Sequence, residues 1–214
     1  DILNRGIKYH NTDPFLHQLL ASAYNTPNDS DIAKAIDELK IAYELTDSTD
    51  YENRAHRLTY IGDFFSNDEQ KDSAIIYYRK SLEISPNDIL TNNNYAYLIS
   101  EMTNDSTLLA EAEAMSFKTI TAEPENPTYL DTYAWILYKQ QNYKKAKEYI
   151  DRALNLTEED SEELTVDYYI HAGDIYFWNQ LPEQALEFWE KALQLDPENE
   201  LLARKVKHKT YFHE

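Results

Sequence analysis

The chain has 214 residues, a formal net charge of −19, no cysteine and only three glycines. Without cysteine it has no disulfide framework, thiolate zinc site or thiol nucleophile. The negative charge would repel a phosphate backbone or an anionic membrane surface, so we expect no nucleic-acid partner. No apolar run approaches the roughly 18 residues of a membrane span, so we expect no transmembrane segment in this chain. Few glycines and prolines interrupt the helix-forming stretches, which predicts an all-α fold.

Residues 1–13 run into Pro14 and fit the tail of a repeat helix, with Gly6 in a position that needs a small side chain. We therefore expect the chain to be the carboxy-terminal part of a longer array. From Pro14 onwards the sequence predicts successive helical hairpins of about 14–50, 55–88, 89–126, 127–160 and 166–199. Residues 200–214 add one amphipathic helix, whose apolar face includes Leu201, Leu202 and Val206. Its cations are expected largely on the other side: Arg204, Lys205, Lys207 and Lys209.

The hairpins share a spacing of small residues. Ala35, Ala74, Ala112, Ala146 and Ala185 are separated by 39, 38, 34 and 39 residues. We expect the excess over a 34-residue period to lie in the turns. In the third hairpin, the turn in EMTNDST is expected to carry about four extra residues. Ser116 also stands there where an aromatic residue would pack, and the run EEDSEE before the last hairpin is expected to project charge into solvent.

The last two hairpins carry the most specific pattern. The segment YIHAGDIYFWNQLPEQALEFWEKALQLDP and the segment PTYLDTYAWILYKQQNYKKAKEYIDRALNL have small and aromatic residues in matching positions. These positions are Tyr169, Ala172, Gly173, Tyr176, Ala185, Trp189, Ala192 and Pro197 in the later copy, and Tyr133, Ala134, Leu137, Ala146, Ile150 and Ala153 in the earlier one. The pattern resembles the tetratricopeptide repeat (TPR), a helix-turn-helix unit of 34 residues.

The resemblance implies an all-α TPR solenoid, wound as a right-handed superhelix, in which residues 200–214 form a carboxy-terminal capping helix. A cap with a polar exterior keeps the apolar face of a terminal repeat from water. Gly62, Ala96, Ala134 and Gly173 would let paired helices approach closely, and neighbouring aromatic rings would fill the space beside them.

The family uses the first helix of each hairpin to line a concave groove that holds peptides or partner helices. The resemblance therefore implies a non-catalytic scaffold with a protein or peptide partner. Transferring the groove positions gives the predicted partner-binding residues Tyr60, Asn93, Asn94, Tyr97, Thr132, Trp135, Tyr138, Lys139, His171, Asp174 and Trp178. Amide groups can bond a peptide backbone, and flat rings add apolar contact. The alternative is that the rings pack against the next hairpin or the cap.

Two other functions stay open at this point. The array could be a homo-oligomerisation module that self-associates through its convex face or an open edge, or its aromatic row could stack on glycans. TPR modules that grip a carboxylate use basic groove residues, whereas the matching positions here are Thr59, Asp63, Asn93 and Asn94, with only Lys139 basic. A chaperone tail is therefore not the expected ligand.

We predict no enzymatic activity and no catalytic, metal or cofactor-binding residue. The six histidines have no metal-ligand spacing, and there is no phosphate-binding glycine loop or nucleophile elbow. The segment NNNYAYLIS and the hairpin after it are similar to the last repeats of bacterial TPR proteins, some of which are cell-envelope lipoproteins. This resemblance suggests the periplasmic side of a bacterial envelope, with the cytoplasm as the alternative.

Overall fold

A computed structural model describes residues 6, 9–26, 29–157 and 165–212. These residues form α1 (Pro14–Tyr24), α2 (Ile32–Leu45), α3 (Tyr51–Asn67), α4 (Lys71–Ile84), α5 (Ile89–Met102), α6 (Ser106–Ala122), α7 (Pro127–Lys139), α8 (Tyr143–Leu156), α9 (Val166–Trp178), α10 (Pro182–Leu195) and α11 (Glu200–His208). Two short strands, β1 (Asn25–Thr26) and β2 (Asp29–Ser30), pair antiparallel between α1 and α2. The predicted helix tail in 1–13 lies largely outside the described residues, and the acidic run 158–163 lies wholly outside them.

The chain divides into two compact units, Asp1–Leu98 and Ile99–Glu214, and the division falls within α5. In the first unit, α1 packs against α2 and α3 against α4, and α2 contacts α3. In the second unit, the hairpins α7–α8 and α9–α10 form in the same way, α6 packs against α7, and α11 lies against α10. Each unit is therefore built from antiparallel helix pairs that stack in chain order.

Short polar side chains begin most of these helices. The side chains of Asp13, Asp31, Asp50, Asp105, Asn126, Thr165 and Asn199 each accept a hydrogen bond from a backbone N–H of the first helical turn. The first turns of α1, α7 and α10 also contain a proline, which lacks the N–H that would be unsatisfied there. Helix starts are thus encoded locally along the chain.

The turns that close three hairpins are the same structure. Glu69, Gln141 and Gln180 have φ values of 56°, 63° and 63°, in the left-handed region. The following residue donates its N–H to a carbonyl five positions earlier, at 2.9 Å from Gln70 to Phe65, 2.9 Å from Asn142 to Leu137 and 3.1 Å from Leu181 to Tyr176. This is the Schellman ending of a helix, formed here without glycine. The repetition of one turn confirms that α3–α4, α7–α8 and α9–α10 are copies of one motif.

At two positions a glycine faces an aromatic ring of the paired helix, with no room for a side chain between them. A Cβ on Gly62 would lie 2.7 Å from Tyr78 Cε1, and a Cβ on Gly173 would overlap Trp189 Cδ1 and Nε1. Tyr78 and Trp189 are 2% and 0% exposed, and the alanines Ala74, Ala134, Ala146 and Ala185 are fully buried. The pattern of small residues opposite large rings was predicted from the sequence and is confirmed by this packing.

The predicted location of the extra residues in the third hairpin was wrong. Only residues 103–105 separate α5 from α6, and α6 has 17 residues where α4, α8 and α10 each have 14. Asp105 accepts hydrogen bonds from the N–H groups of Thr107 and Leu108, and this cap starts the helix early. The insertion therefore lengthens a helix rather than a turn. Ser116 is fully buried, and its hydroxyl oxygen has no hydrogen-bond partner among the described residues.

We expect Gly173→Ala to lower the free energy of unfolding by about 1 to 3 kcal/mol, because the added methyl group must displace the buried Trp189 ring. Chemical denaturation measures the change. Gly6→Ala is the matched control, since its Cβ would lie at an ordinary 3.9 Å from Leu16 Cδ1. Equal destabilisation by both variants would contradict the packing argument.

Candidate functional site

The predicted groove residues differ widely in exposure. Asn93, Thr132, Trp135, Tyr138, His171 and Asp174 are buried; Tyr60, Asn94, Tyr97 and Lys139 are half-buried; and Trp178 is 40% exposed. A partner can contact only accessible atoms. These classes therefore separate side chains that support the helices from those that could meet a ligand.

In the first unit, α3 and α5 are joined through Asp63. Its Oδ1 accepts hydrogen bonds from the hydroxyl of Tyr78, at 2.7 Å, and from Nδ2 of Asn94, at 2.9 Å. Tyr60 precedes Asp63 by nearly one helical turn, and Tyr97 follows Asn94 by the same interval, so each aromatic residue shares a face with its polar neighbour. The sequence placed these residues in one row, and the structure brings Asp63 and Asn94 into direct contact.

Three buried hydroxyl groups, one each on α3, α4 and α5, form a hydrogen-bonded cluster. Thr59 Oγ1 is 3.0 Å from Ser81 Oγ and 2.6 Å from Thr91 Oγ1, and all three side chains are fully buried. Asp88 Oδ1 accepts from the backbone N–H of Thr91, and Asp88 Oδ2 is 2.8 Å from His56 Nε2. The cluster satisfies the polar groups where the helices meet. Thr59 therefore holds the scaffold together and is inaccessible to a ligand.

In the second unit, the Trp135 ring is enclosed by other groups. Tyr138 stacks on it with ring centroids 4.7 Å apart, His171 stacks on it at 4.0 Å, and both interplanar angles are below 20°. The indole N–H donates to Glu101 Oε1 at 2.6 Å. Lys139 Nζ lies 5.6 Å from the Trp135 ring centroid and 4.0 Å from Glu101 Oε1. Trp135 is 8% exposed, so its ring faces serve packing.

His171 forms a buried ion pair with Asp131. Its Nδ1 lies 3.0 Å from each carboxylate oxygen, and this contact links α9 to α7. Burial favours the neutral imidazole, but the attraction of Asp131, with that of Asp167 and Glu101, outweighs it and raises the pKa of His171 above its ordinary value. The sequence placed His171 in the groove, and the structure makes it a contact between two hairpins.

Asp174 is also neutralised within the chain. Its Oδ1 accepts from Trp189 Nε1 at 2.8 Å and from Lys205 Nζ at 2.7 Å, and its Oδ2 accepts from Lys205 at 2.9 Å. Lys205 is 2% exposed, which corrects the expectation that the cations of the last helix lie on its polar side. Nothing in the sequence distinguished Lys205 from the other basic residues in the last turn of this helix, so its pairing with Asp174 was not predicted. Burial raises the pKa of Asp174, against the opposing effect of Lys205.

Tyr211, in the segment after α11, contacts two of the predicted groove residues, Tyr138 and Trp178. The hydroxyls of Tyr211 and Tyr138 are hydrogen-bonded, 3.1 Å apart, and the Tyr211 ring centroid lies 5.7 Å from that of Trp178. Trp178 also stacks on Tyr143 with centroids 5.2 Å apart and an interplanar angle of 14°. The alternative that the predicted groove rings pack against the next hairpin and the cap thus describes Trp135 and Tyr138. Trp178 keeps part of its surface in solvent.

Within the described residues, no group of three or more metal-ligating side chains is brought together. None of the helices in the described part of the chain combines the length and apolar character that a bilayer crossing needs. The arrangement found is one of hydrogen bonds, ion pairs and stacked rings between helices.

Stacked helical hairpins with one recurring turn define a helical-repeat protein. The chain contains tetratricopeptide repeats: two family models, both described as "Tetratricopeptide repeat", match it, one at residues 127–160 and 166–199 and the other at residues 58–88. A search of curated proteins found no significant match. The family and the all-α repeat fold predicted from the sequence are both confirmed.

Solved structures share this fold. TTC0263, a thermophilic TPR protein of Thermus thermophilus, matches with a TM-score of 0.66 and 13% identity over 92% of this chain and 98% of that one. YrrB, described as a TPR protein with an unusual peptide-binding site, matches with a TM-score of 0.57 and 15% identity over 97% and 98%. A chain of the APC/C hetero-tetramer Cut9–Hcn1 matches with a TM-score of 0.80 and 12% identity over 97% of this chain but 38% of that one. At such identities the likeness shows the fold alone.

We expect Lys205→Met to lower the free energy of unfolding by roughly 3 to 5 kcal/mol, because it leaves the buried Asp174 carboxylate without its cation. The double variant Asp174→Asn, Lys205→Met should recover part of this loss, since no buried charge remains. Chemical denaturation of both variants and the parent measures the difference. A double variant that is no more stable than the single one would contradict the ion-pair account.

We expect the stabilising contribution of His171 to decrease as the pH rises. Its folded-state pKa is raised above the unfolded value, so the contribution is complete below the unfolded pKa and is lost as the pH passes through the folded one. Melting temperatures from about pH 6 to about pH 9 should therefore fall more steeply for the parent than for His171→Gln. Parallel curves would show that the His171–Asp131 pair does not have this protonation state.

Proposed function

We propose that this chain is a non-catalytic scaffold that binds a segment of a protein partner along the first helices of its repeats. Proteins of the tetratricopeptide-repeat family bind protein partners, which supports the general role. The observation that carries this proposal is the set of half-buried residues Tyr60, Asp63, Asn94 and Tyr97 on α3 and α5, in which Asn94 bonds to Asp63. Rings and amides that are partly accessible on rigid helices suit the binding of an extended segment.

The second unit has a different part in this proposal. Trp135, Tyr138, His171 and Asp174 are buried and contact other side chains of the same unit. We therefore infer that they maintain the stacking of hairpins. Lys139 and Trp178 are the predicted groove residues of this unit that a partner could contact. Trp135 is 8% exposed and stacks on two other rings, so little of its indole is accessible to a sugar, which weakens the support for glycan binding.

The proposal is tested by comparing partner capture by the parent, by Tyr97→Ala and by Tyr51→Ala. Tyr51 lies at the start of α3 and is 62% exposed, so it is a matched aromatic control away from the row. Both variants are first shown to be folded by circular dichroism. We expect Tyr97→Ala to weaken capture of a protein partner by about tenfold or more, because truncation of a central aromatic contact costs about 2 kcal/mol.

The capture uses envelope and soluble fractions of the source cell separately, since a periplasmic location remains a prediction. A protein retained equally by all three chains would contradict binding by the α3–α5 row. Light scattering of the same samples measures self-association. A stable dimer that is unaffected by Tyr97→Ala, together with no captured protein, would favour the oligomerisation alternative.

A further inference from the structure

The two units contain equivalent carboxylates with different partners. Asp63 follows Gly62 and accepts from Tyr78, the residue that packs against that glycine; Asp174 follows Gly173 and accepts from Trp189, which packs in the same way. Asp174 is completed by the ammonium group of Lys205, at 2.7 Å and 2.9 Å. One repeat of the chain therefore shows a lysine side chain bound at this position.

Asp63 lacks such a cation in the described part of the chain. Its two hydrogen bonds, from the Tyr78 hydroxyl and the Asn94 amide, are both to Oδ1 and both come from neutral groups. Among the described residues, no lysine, arginine or histidine nitrogen lies within 4.0 Å of its carboxylate. Asp63 is half-buried, so water stabilises its charge only in part. Asp63 therefore lacks the positive charge that Lys205 supplies to Asp174.

A second acceptor, linked to Asp63 through Asn94, is unsatisfied. Asn93 is 4% exposed, its Nδ2 donates to Asn94 Oδ1 at 3.3 Å, and its own Oδ1 is buried with no hydrogen-bond partner among the described residues. A buried acceptor without a donor destabilises the fold, because it has lost its hydrogen bonds to water and gained none. An incoming N–H group, met by a small rotation of this side chain, would remove that destabilisation. Asn93, Asn94 and Asp63 are linked by successive hydrogen bonds, so one ligand could use all three.

The surroundings favour a cation over a neutral donor. Tyr60 and Tyr97 lie about one turn from Asp63 and Asn94 along their helices, and both are half-buried. Tyrosine faces attract ammonium and guanidinium groups. The net charge of −19 would also draw a basic segment towards the chain.

We propose that Asp63, with Asn93 and Asn94, binds a lysine or arginine side chain of a basic segment in a protein partner. This inference rests on the proposed function and specifies the chemistry of its partner. Burial raises the pKa of Asp63, while the bonds from Tyr78 and Asn94 lower it. A bound cation would favour the ionised carboxylate, so binding should weaken as acidification protonates Asp63.

The experiment measures fluorescence anisotropy of labelled peptide amides with the sequences (Gly-Lys)₄, (Gly-Arg)₄, (Gly-Gln)₄ and (Gly-Glu)₄. The proteins are the parent, Asp63→Asn and Glu83→Gln. Glu83 is an exposed carboxylate on α4, so Glu83→Gln makes the same change in net charge at a distance from the site. Measurements at physiological and at raised salt separate site binding from general attraction.

We expect one basic peptide to bind the parent and Glu83→Gln alike, and to bind Asp63→Asn about tenfold more weakly or worse, as for loss of a charged hydrogen bond. Asp63→Asn should fold with an unchanged or higher melting temperature, because it removes a half-buried charge that lacks a cation. Asn93→Ala, which leaves the bonds of Asp63 in place, is a second variant and should give a smaller loss.

Equal weakening by Asp63→Asn and Glu83→Gln would overturn the proposal, since the attraction would then be general. Binding of (Gly-Gln)₄ as tight as that of the basic peptides, or no binding of either basic peptide, would overturn it as well. In these cases capture of a partner that depends on Tyr97 would still support the proposed scaffold. The failure of the cation site and the failure of the scaffold are therefore distinguishable.

Discussion

The hairpins α3–α4 and α9–α10 both depend on the contact between a glycine of their first helix and an aromatic ring of their second. The ring of Tyr78 lies against Gly62, and the ring of Trp189 lies against Gly173. This contact also places the polar end of each ring. The Tyr78 hydroxyl and the Trp189 indole N–H reach the aspartate that follows the glycine, and both aspartates are thereby fixed on the first helix. The contact between glycine and ring therefore determines both how these helices pack and where Asp63 and Asp174 lie.

That geometry explains how polar side chains can be buried where the helices of this protein meet. The hydroxyls of Thr59, Ser81 and Thr91 satisfy one another, and His171 and Lys205 each neutralise a buried carboxylate. Paired in this way, polar groups can specify which helices meet, whereas apolar residues alone would tolerate other registers. The cost is that few of these groups remain accessible to a partner.

The sequence predicted what depends on neighbours along the chain. The spacing of the alanines and the small-residue positions around Gly173 indicated the helices and their pairing because both follow from the repeated local pattern. The sequence did not predict that Lys205 is buried, and it left open whether Trp135 faces the groove or packs against the next hairpin. Those facts depend on how α11 lies against α9 and how α9 lies against α7, which is a matter of packing between hairpins. The length of α6 was missed because a cap at Asp105 and an extended turn look alike in sequence.

The bond between Lys205 and Asp174 has a consequence for fragments of this protein. A truncation that ends before α11 would remove the cation from Asp174, and one that ends before Tyr211 would remove the hydroxyl that meets Tyr138. Both losses fall on helices well upstream of the cut. The smallest stable carboxy-terminal fragment is therefore defined by these side-chain contacts, and it extends past the last repeat matched by the family pattern at residue 199.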